Sequence, residues 1–192
     1  NRVELRYRDG ARRCERLTGG VPPWSWRELG PLLEGLDALY INFISGFELE
    51  RPTAEQLRLA LRAPIYADIH SLLLGVGPGG RREPRPLLEW RAWLRCFDIV
   101  QVNEDELGWL AGAWGDPWRF AAEVVGDETR LLLVTLGARG AAYVASPAFR
   151  PDPRSWHEPG LWRPPRPGPG GAARTRLVPL EGPPREGDPT GC

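Results

Sequence analysis

The sequence predicts an α/β fold: a mostly parallel sheet with helices on both faces, preceded by a β-hairpin. Three observations predict it. From residue 36 onward, short apolar runs (LDALYINFI, PIYADIH, FDIVQV, RLLLVTLG) alternate with amphipathic stretches of helical period. That is the pattern of buried parallel strands joined by helical crossovers. The first residues alternate singly instead, with Val3, Leu5 and Tyr7 opposed to Arg2, Glu4, Arg6 and Arg8, and they break at Asp9-Gly10. Such a pattern marks a hairpin with one wet face. Finally, a chain of 192 residues with 42% hydrophobic content is long enough for one domain with a real core and short for two.

The elements follow in order. Residues 1–17 are the hairpin and residues 18–192 the α/β core. VPPWSWRELGPLLEGL makes a proline-limited loop and a short helix. LDALYINFI (36–44) is a strand, and TAEQLRLALRA (53–63) is a helix that Thr53 and Gln56 would open as a capping box. PIYADIH (64–70) is a strand, PLLEWRAWLRC (86–96) an amphipathic helix and FDIVQV (97–102) a strand. Asn103 opens a short helix over 103–112, and DPWRFAAEVVG (116–126) is another. RLLLVTLG (130–137) and GAAYVAS (140–146) are strands joined by a tight turn. A surface loop rich in Pro, Arg and Gly fills 147–176; after it TRLVPL resembles a strand, which Pro179 confines to an edge. The crossovers should be right-handed.

Composition excludes several function classes. The 25 acidic and 25 basic residues cancel, so no global basic field favours nucleic acid or an anionic membrane. Cys14, Cys96 and Cys192 are few and far apart, which indicates neither a disulfide framework nor a zinc site. With only His70 and His157 available, a histidine-rich metal site is not expected. No apolar run reaches membrane-spanning length, and a cytoplasmic protein is the expectation. There is no methionine, so residue 1 is not expected to be a translation start.

Ligands of parallel sheets bind at the carboxyl ends of the strands, which directs attention to Ser45-Gly46, Asp68 to Ser71, Asn103 to Glu106 and Thr135 to Gly140. GVGPGG matches a dinucleotide fingerprint through Gly75, Gly77 and Gly80, but RREPRP follows it and does not start a helix, so a plain glycine loop is the better reading. Asp68 and His70, two apart on a strand, would share a face. They read either as a metal pair or base with orienter, or as a strand-end acid beside a hydrogen-bonded histidine. Position keeps Asp68 as a contact for substrate hydroxyls. Asn103 and Glu106 fit a capping box; a carboxylate at the mouth of a parallel sheet also suits hydrated magnesium, and both roles can hold at once. Thr135, Gly137 and Gly140 shape a turn that either lets backbone approach a flat or anionic ligand or simply reverses the chain. DPTGC (188–192) is a turn whose Gly191 and Cys192 amides would bind an anion if a helix begins just after it.

Taken together and in order, VNEDE after a strand, VTLGARGA further on and DPTGC resemble the motifs of the ribokinase-like carbohydrate kinases, the PfkB family. Asp188, Pro189, Thr190, Gly191 and Cys192 match the first five positions of the family signature D-[TP]-T-G-[AC]-G-D. YADIH resembles the family strand that ends in an acid near the substrate, and Val3 to Arg16 resembles strands of its β-lid. The resemblance implies a Rossmann-like, ribokinase-like sheet and ATP-dependent phosphoryl transfer to a hydroxyl of a sugar or nucleoside, with Mg2+ and a monovalent cation such as K+. By the same resemblance, Asn103 and Glu106 organise magnesium and phosphate, Glu106 indirectly. Thr135, Gly137 and Gly140 lie along the nucleotide, and Gly191 and Cys192 begin the anion hole. Asp68 and Asp188 lie near the substrate, and Asp188 with Thr190 near the monovalent cation.

The family's general base falls two positions beyond that of Cys192, and its glycine-rich sugar-binding segment has no match here. The expectation is therefore an internal piece of a kinase, enzymatic when intact and inactive as 192 residues. The alternative is a non-catalytic sugar- or nucleotide-binding module on the same fold. An exposed lid edge invites a homodimer. Neither the sugar nor the oligomeric state is legible.

Overall fold

The structure, a computed structural model, describes residues 1–8, 12–152, 154–155 and 173–180. Strands β1 (Arg2–Arg8) and β2 (Arg12–Thr18) pair antiparallel from Arg2↔Thr18 to Arg8↔Arg12, forming a two-stranded sheet of their own. Helix α1 (Trp26–Leu29) starts at a capping box in which the Ser25 amide donates to Glu28 Oε2 at 2.9 Å. Strand β3 (Leu39–Asn42), helix α2 (Arg51–Ala60) and strand β4 (Ile65–Asp68) follow. Helix α2 begins before the Thr53–Gln56 pattern predicts. Pro52 stands in its first turn, where its preset φ and missing N–H suit a helix start. Glu50 takes the N-cap position and Thr53 lies inside the helix.

Strands β5 (Leu74–Val76) and β6 (Arg82–Pro84) form a small hairpin with the glycine-rich stretch at its tip, where the Gly77 amide donates to the Arg81 carbonyl at 2.7 Å. This hairpin leans on β2: Arg16 bridges to Arg81, and Arg16 Nε donates to the Gly79 carbonyl at 2.7 Å. The chain continues through α3 (Trp90–Leu94), β7 (Ile99–Asn103), α4 (Glu104–Ala111), α5 (Pro117–Val124), β8 (Leu131–Thr135), β9 (Ala141–Ala145) and β10 (Arg174–Val178).

Six strands make the main sheet in the order β10-β9-β8-β7-β4-β3. Neighbours among β3, β4, β7 and β8 pair in parallel, whereas β9 and β10 pair antiparallel. Strand β10 forms one edge with every residue exposed, in keeping with Pro179 just beyond it. The parallel strands advance one way across the sheet, so right-handed crossovers put their helices on one side. There Ile65, Ala67, Val100, Val102, Leu132 and Val134 meet Leu57 of α2, Leu94 of α3, Leu107 of α4 and Phe120 of α5 in a single core. On the other face Ile99, Leu131 and Ala145 form a smaller cluster with Tyr66, Leu133, Tyr143 and Phe149.

A buried polar clamp closes the amino ends of the strands. Asp98, just before β7, pairs with Arg58 of α2; it also accepts the Ile65 amide at 3.0 Å and Arg130 Nε at 3.3 Å. Arg58 Nη2 in turn donates to the Leu61 carbonyl at 2.6 Å. One carboxylate thus ties α2, β4, β7 and the approach to β8 together. The opposite, carboxyl ends are left for a ligand site.

Candidate active site

The parallel strands end side by side, with Asn42 opposite Asp68, Asp68 opposite Gln101 and Asn103 opposite Thr135. At the corner of β7 and α4 the capping box is complete. Asn103 Oδ1 accepts the Glu106 amide at 2.9 Å, Glu106 Oε2 accepts the Asn103 amide at 2.9 Å, and Asn103 Nδ2 donates to Glu106 Oε1. A solvated cap would need no more, yet Glu106 is buried to 1% exposure. What it meets there is His70. One ring nitrogen, Nδ1, bonds Glu106 Oε1; the other, Nε2, lies 3.2 Å from Glu15 Oε1 on strand β2. Burial alone would push this imidazole down, but the Glu106 and Glu15 carboxylates outweigh it and push the group up to about 9. At neutral pH the ring is an imidazolium held by two carboxylates, one from the hairpin and one from α4.

The pairing of Asp68 with His70 differs from the strand-face reading. Strand β4 ends at Asp68, and His70 opens a 3-10 turn over His70–Leu73, so the ring turns away toward Glu106. Asp68 meets His70 through the backbone, accepting its N–H at 3.1 Å on Oδ1, while Oδ2 accepts Gln101 Nε2 at 2.9 Å. Gln101 is itself bonded to the Tyr66 hydroxyl. Burial pushes the Asp68 carboxyl above its usual range, against the pull of the His70 N–H.

Strand β8 ends at Thr135, and a 3-10 turn over Gly137–Arg139 leads to Gly140. Arg139 ion-pairs with Glu104 in the first turn of α4, which draws this turn to the Asn103–Glu106 corner. Gly140 has φ 93°, and a Cβ there would lie 2.2 Å from the Val178 carbonyl. The glycine is thus required by the close passage of β10. Gly140→Ala is expected to lower stability by about 2 kcal/mol, read by chemical denaturation.

Asp188, Thr190, Gly191 and Cys192 lie outside the described residues. Cys14 and Cys96 are free thiols, and burial pushes Cys96 up to about 12, which makes it a packing residue rather than a nucleophile. Among the described residues no three His, Cys, Asp or Glu side chains gather as a metal site. Glu106 turns its oxygens to Asn103 and His70. In this arrangement neither oxygen is open to direct coordination of a magnesium ion. No helix of the described residues is long and apolar enough to cross a membrane.

Sequence reasoning missed two members of this network. Gln101 could have been found as the single polar side chain inside the run IVQV. Glu15 carried no signal, because its partner lies 55 residues away.

The charged bridge predicts a pH response. The folded His70 pKa of about 9 stands above the ordinary histidine value of 6.5, so its contribution is complete below pH 6.5 and is lost as pH rises through 9. Hydrogen exchange of the β1–β2 amides, corrected for intrinsic rate, should accelerate across that interval. The bridge is 27% exposed at His70, which limits the effect to about 2 kcal/mol. Unchanged protection from pH 6 to about 10 would remove the bridge as the hairpin's anchor.

No protein-family model matches the sequence. No curated protein matches it either. Solved structures do. One is a pyrophosphate-dependent kinase in the ribokinase family in complex with sulfate, similar over 73% of this chain and 49% of its own, with TM-score 0.60 and 22% identity. Another is a pyrophosphate-dependent kinase in the ribokinase family bound to a pyrophosphate analog and myo-inositol, with TM-score 0.53, 17% identity and coverage of 70% and 46%. The chain spans about half the length of these structures. The six-stranded mixed sheet, its helices and this similarity together make the chain a ribokinase-like α/β fold.

Proposed function

We propose that the full protein is a kinase that transfers a phosphoryl group from ATP to a hydroxyl of a sugar or nucleoside. The observation that carries this reading is a juxtaposition on a ribokinase-like sheet. Asp68, the Asn103–Glu106 corner and the Thr135–Gly140 turn stand at the carboxyl ends of adjacent parallel strands. In this reading Asp68 binds an acceptor hydroxyl, with Gln101 and the His70 amide holding its carboxylate in place. Asn103 lies at the phosphate end of the donor, held there by Glu106, whose carboxylate positions Asn103 and His70, and the turn after β8 lies along the rest of it. The β1–β2 hairpin, tied down through Glu15 and His70, covers the acceptor and excludes water. Catalysis of this kind rests on positioning and electrostatics rather than on covalent chemistry.

A pyrophosphate donor is the second reading, because both solved structures described above are of pyrophosphate-dependent kinases. One experiment separates the two. The full protein is incubated with a panel of sugars, polyols and nucleosides, with ATP and pyrophosphate as donors in parallel arms, and phosphorylated product is read by mass spectrometry. Transfer from ATP supports the first reading, and transfer from pyrophosphate alone supports the second. Binding of an acceptor with no transfer from either donor would leave a non-catalytic binding module.

A further inference from the structure

We propose that Arg82 forms an oxyanion subsite on the acceptor side of the site, so that the acceptor is a polyhydroxylated compound carrying a carboxylate or phosphate. The inference rests on the kinase reading for the word acceptor; the subsite itself does not. Arg82 opens β6 and is 7% exposed. Its Nη2 donates to the Ser71 carbonyl at 3.0 Å, and its Cζ lies 6.0 Å from the centroid of the Phe47 ring. Nε and Nη1 are buried without a partner.

The two carboxylates whose charge acts on the guanidinium hydrogen-bond elsewhere. Glu48 accepts the Ser45 amide at 2.6 Å and the Gly46 amide at 2.9 Å, and Glu15 is turned to His70. Burial lowers the Arg82 pKa despite both of them, and Arg85 adds to the effect. Buried donors of a charged group are costly when unmade, and such exceptions call for an explanation such as a ligand or water. A guanidinium matches a carboxylate or phosphate in both charge and geometry.

Location identifies what would supply the oxyanion. Ser71 follows β4, and Gly46 and Phe47 follow β3, on the same edge of the sheet as Asp68. Gly46, at φ 78°, has no room for a Cβ, which would sit 2.2 Å from the Ser71 carbonyl and 3.4 Å from Arg82 Nη2. That close passage seats the β3 loop on the guanidinium. The donor turn after β8 lies across two intervening strand pairings, so an anion at Arg82 belongs to the acceptor.

The test is calorimetric titration of the full protein with D-gluconate, D-glucose 6-phosphate, their neutral parent D-glucose, myo-inositol and inorganic phosphate. At least one acidic sugar should bind about tenfold or more tightly than D-glucose, and which one does separates carboxylate from phosphate. Arg82→Gln should abolish that preference while neutral sugars bind as before; Arg82→Lys should keep part of it and decides the matter if the glutamine variant does not fold. Equal affinity for acidic and neutral sugars would overturn the proposal. So would an Arg82→Gln loss shared equally by both classes, or inorganic phosphate binding as tightly as the sugar phosphate. The readout needs no donor and no turnover. A protein that discriminates but does not transfer sinks the kinase reading alone; one that transfers without discriminating sinks the subsite alone.

Discussion

Replacing Glu106 by glutamine is expected to cut turnover of the full protein by about a hundredfold and to drop the His70 pKa from about 9 to about 6.5 or lower. Both effects follow from one lost charge. Glutamine keeps the shape of the capping box and can still bond the Asn103 amide, while the Asn103 cap onto the residue 106 amide is untouched. Helix α4 should therefore survive with a loss of about 1 kcal/mol from the cap. His70 keeps only Glu15 as a charged partner and still bears the desolvation of its buried ring. Nuclear magnetic resonance titration of that ring reads the shift directly, and steady-state kinetics read the turnover. Normal kinetics with a shifted His70 would leave Glu106 as a cap and hairpin anchor with no part in phosphoryl transfer. An unshifted His70 would mean the charged bridge is not made in solution.

Asp98→Ala should be the most destabilising single change, lowering the free energy of unfolding by about 3–5 kcal/mol. Asp98 is 3% exposed and Arg58 7%. Without the carboxylate, Arg58 is a buried cation that has lost its ion pair, Arg130 loses its contact with Asp98 and the Ile65 amide loses its acceptor. Asp98→Asn keeps an acceptor for the Ile65 amide and should cost clearly less. Urea denaturation of both variants checks the order. A loss under about 1 kcal/mol for alanine would mean that Arg58 finds water instead. The clamp sits at the amino ends of the strands, away from Asp68 and Glu106, so Asp98→Asn should leave acceptor affinity unchanged.

Much of the fold was legible because its signals are local. The run FDIVQV reads as a strand because apolar side chains without helical period must be buried on a sheet, and β7 covers Ile99–Asn103. Asn103 and Glu106 read as a capping box because three residues are one helical turn, and the box is made. Pro179 placed β10 at an edge by removing an N–H. Helix α2 was misplaced at its start because the apparent capping box at Thr53 competes with Pro52, and the preset φ of proline decides. His70 is a hydrogen-bonded histidine beside a strand-end acid, one of the two sequence readings; only its shared face with Asp68 fails, because β4 ends at Asp68 and a boundary shift of two residues redirects a side chain entirely.

The sequence by itself determined the α/β class, the order of the main-sheet strands along the chain, the N-terminal hairpin, and Asp68, Asn103, Glu106 and the turn to Gly140 as residues at strand ends; the small hairpin of β5 and β6 it read only as a glycine loop. Each of these depends on neighbours within a few positions, through periodicity, caps and turns. Only the tertiary structure decided what those residues face. Glu15, His70 and Glu106 come from three separate elements and form one charged bridge, Gly140 is required by the passage of β10, and Arg82 is buried with two donors unmet. Burial and charge pairing between distant segments depend on how the chain closes on itself, and no local pattern encodes that.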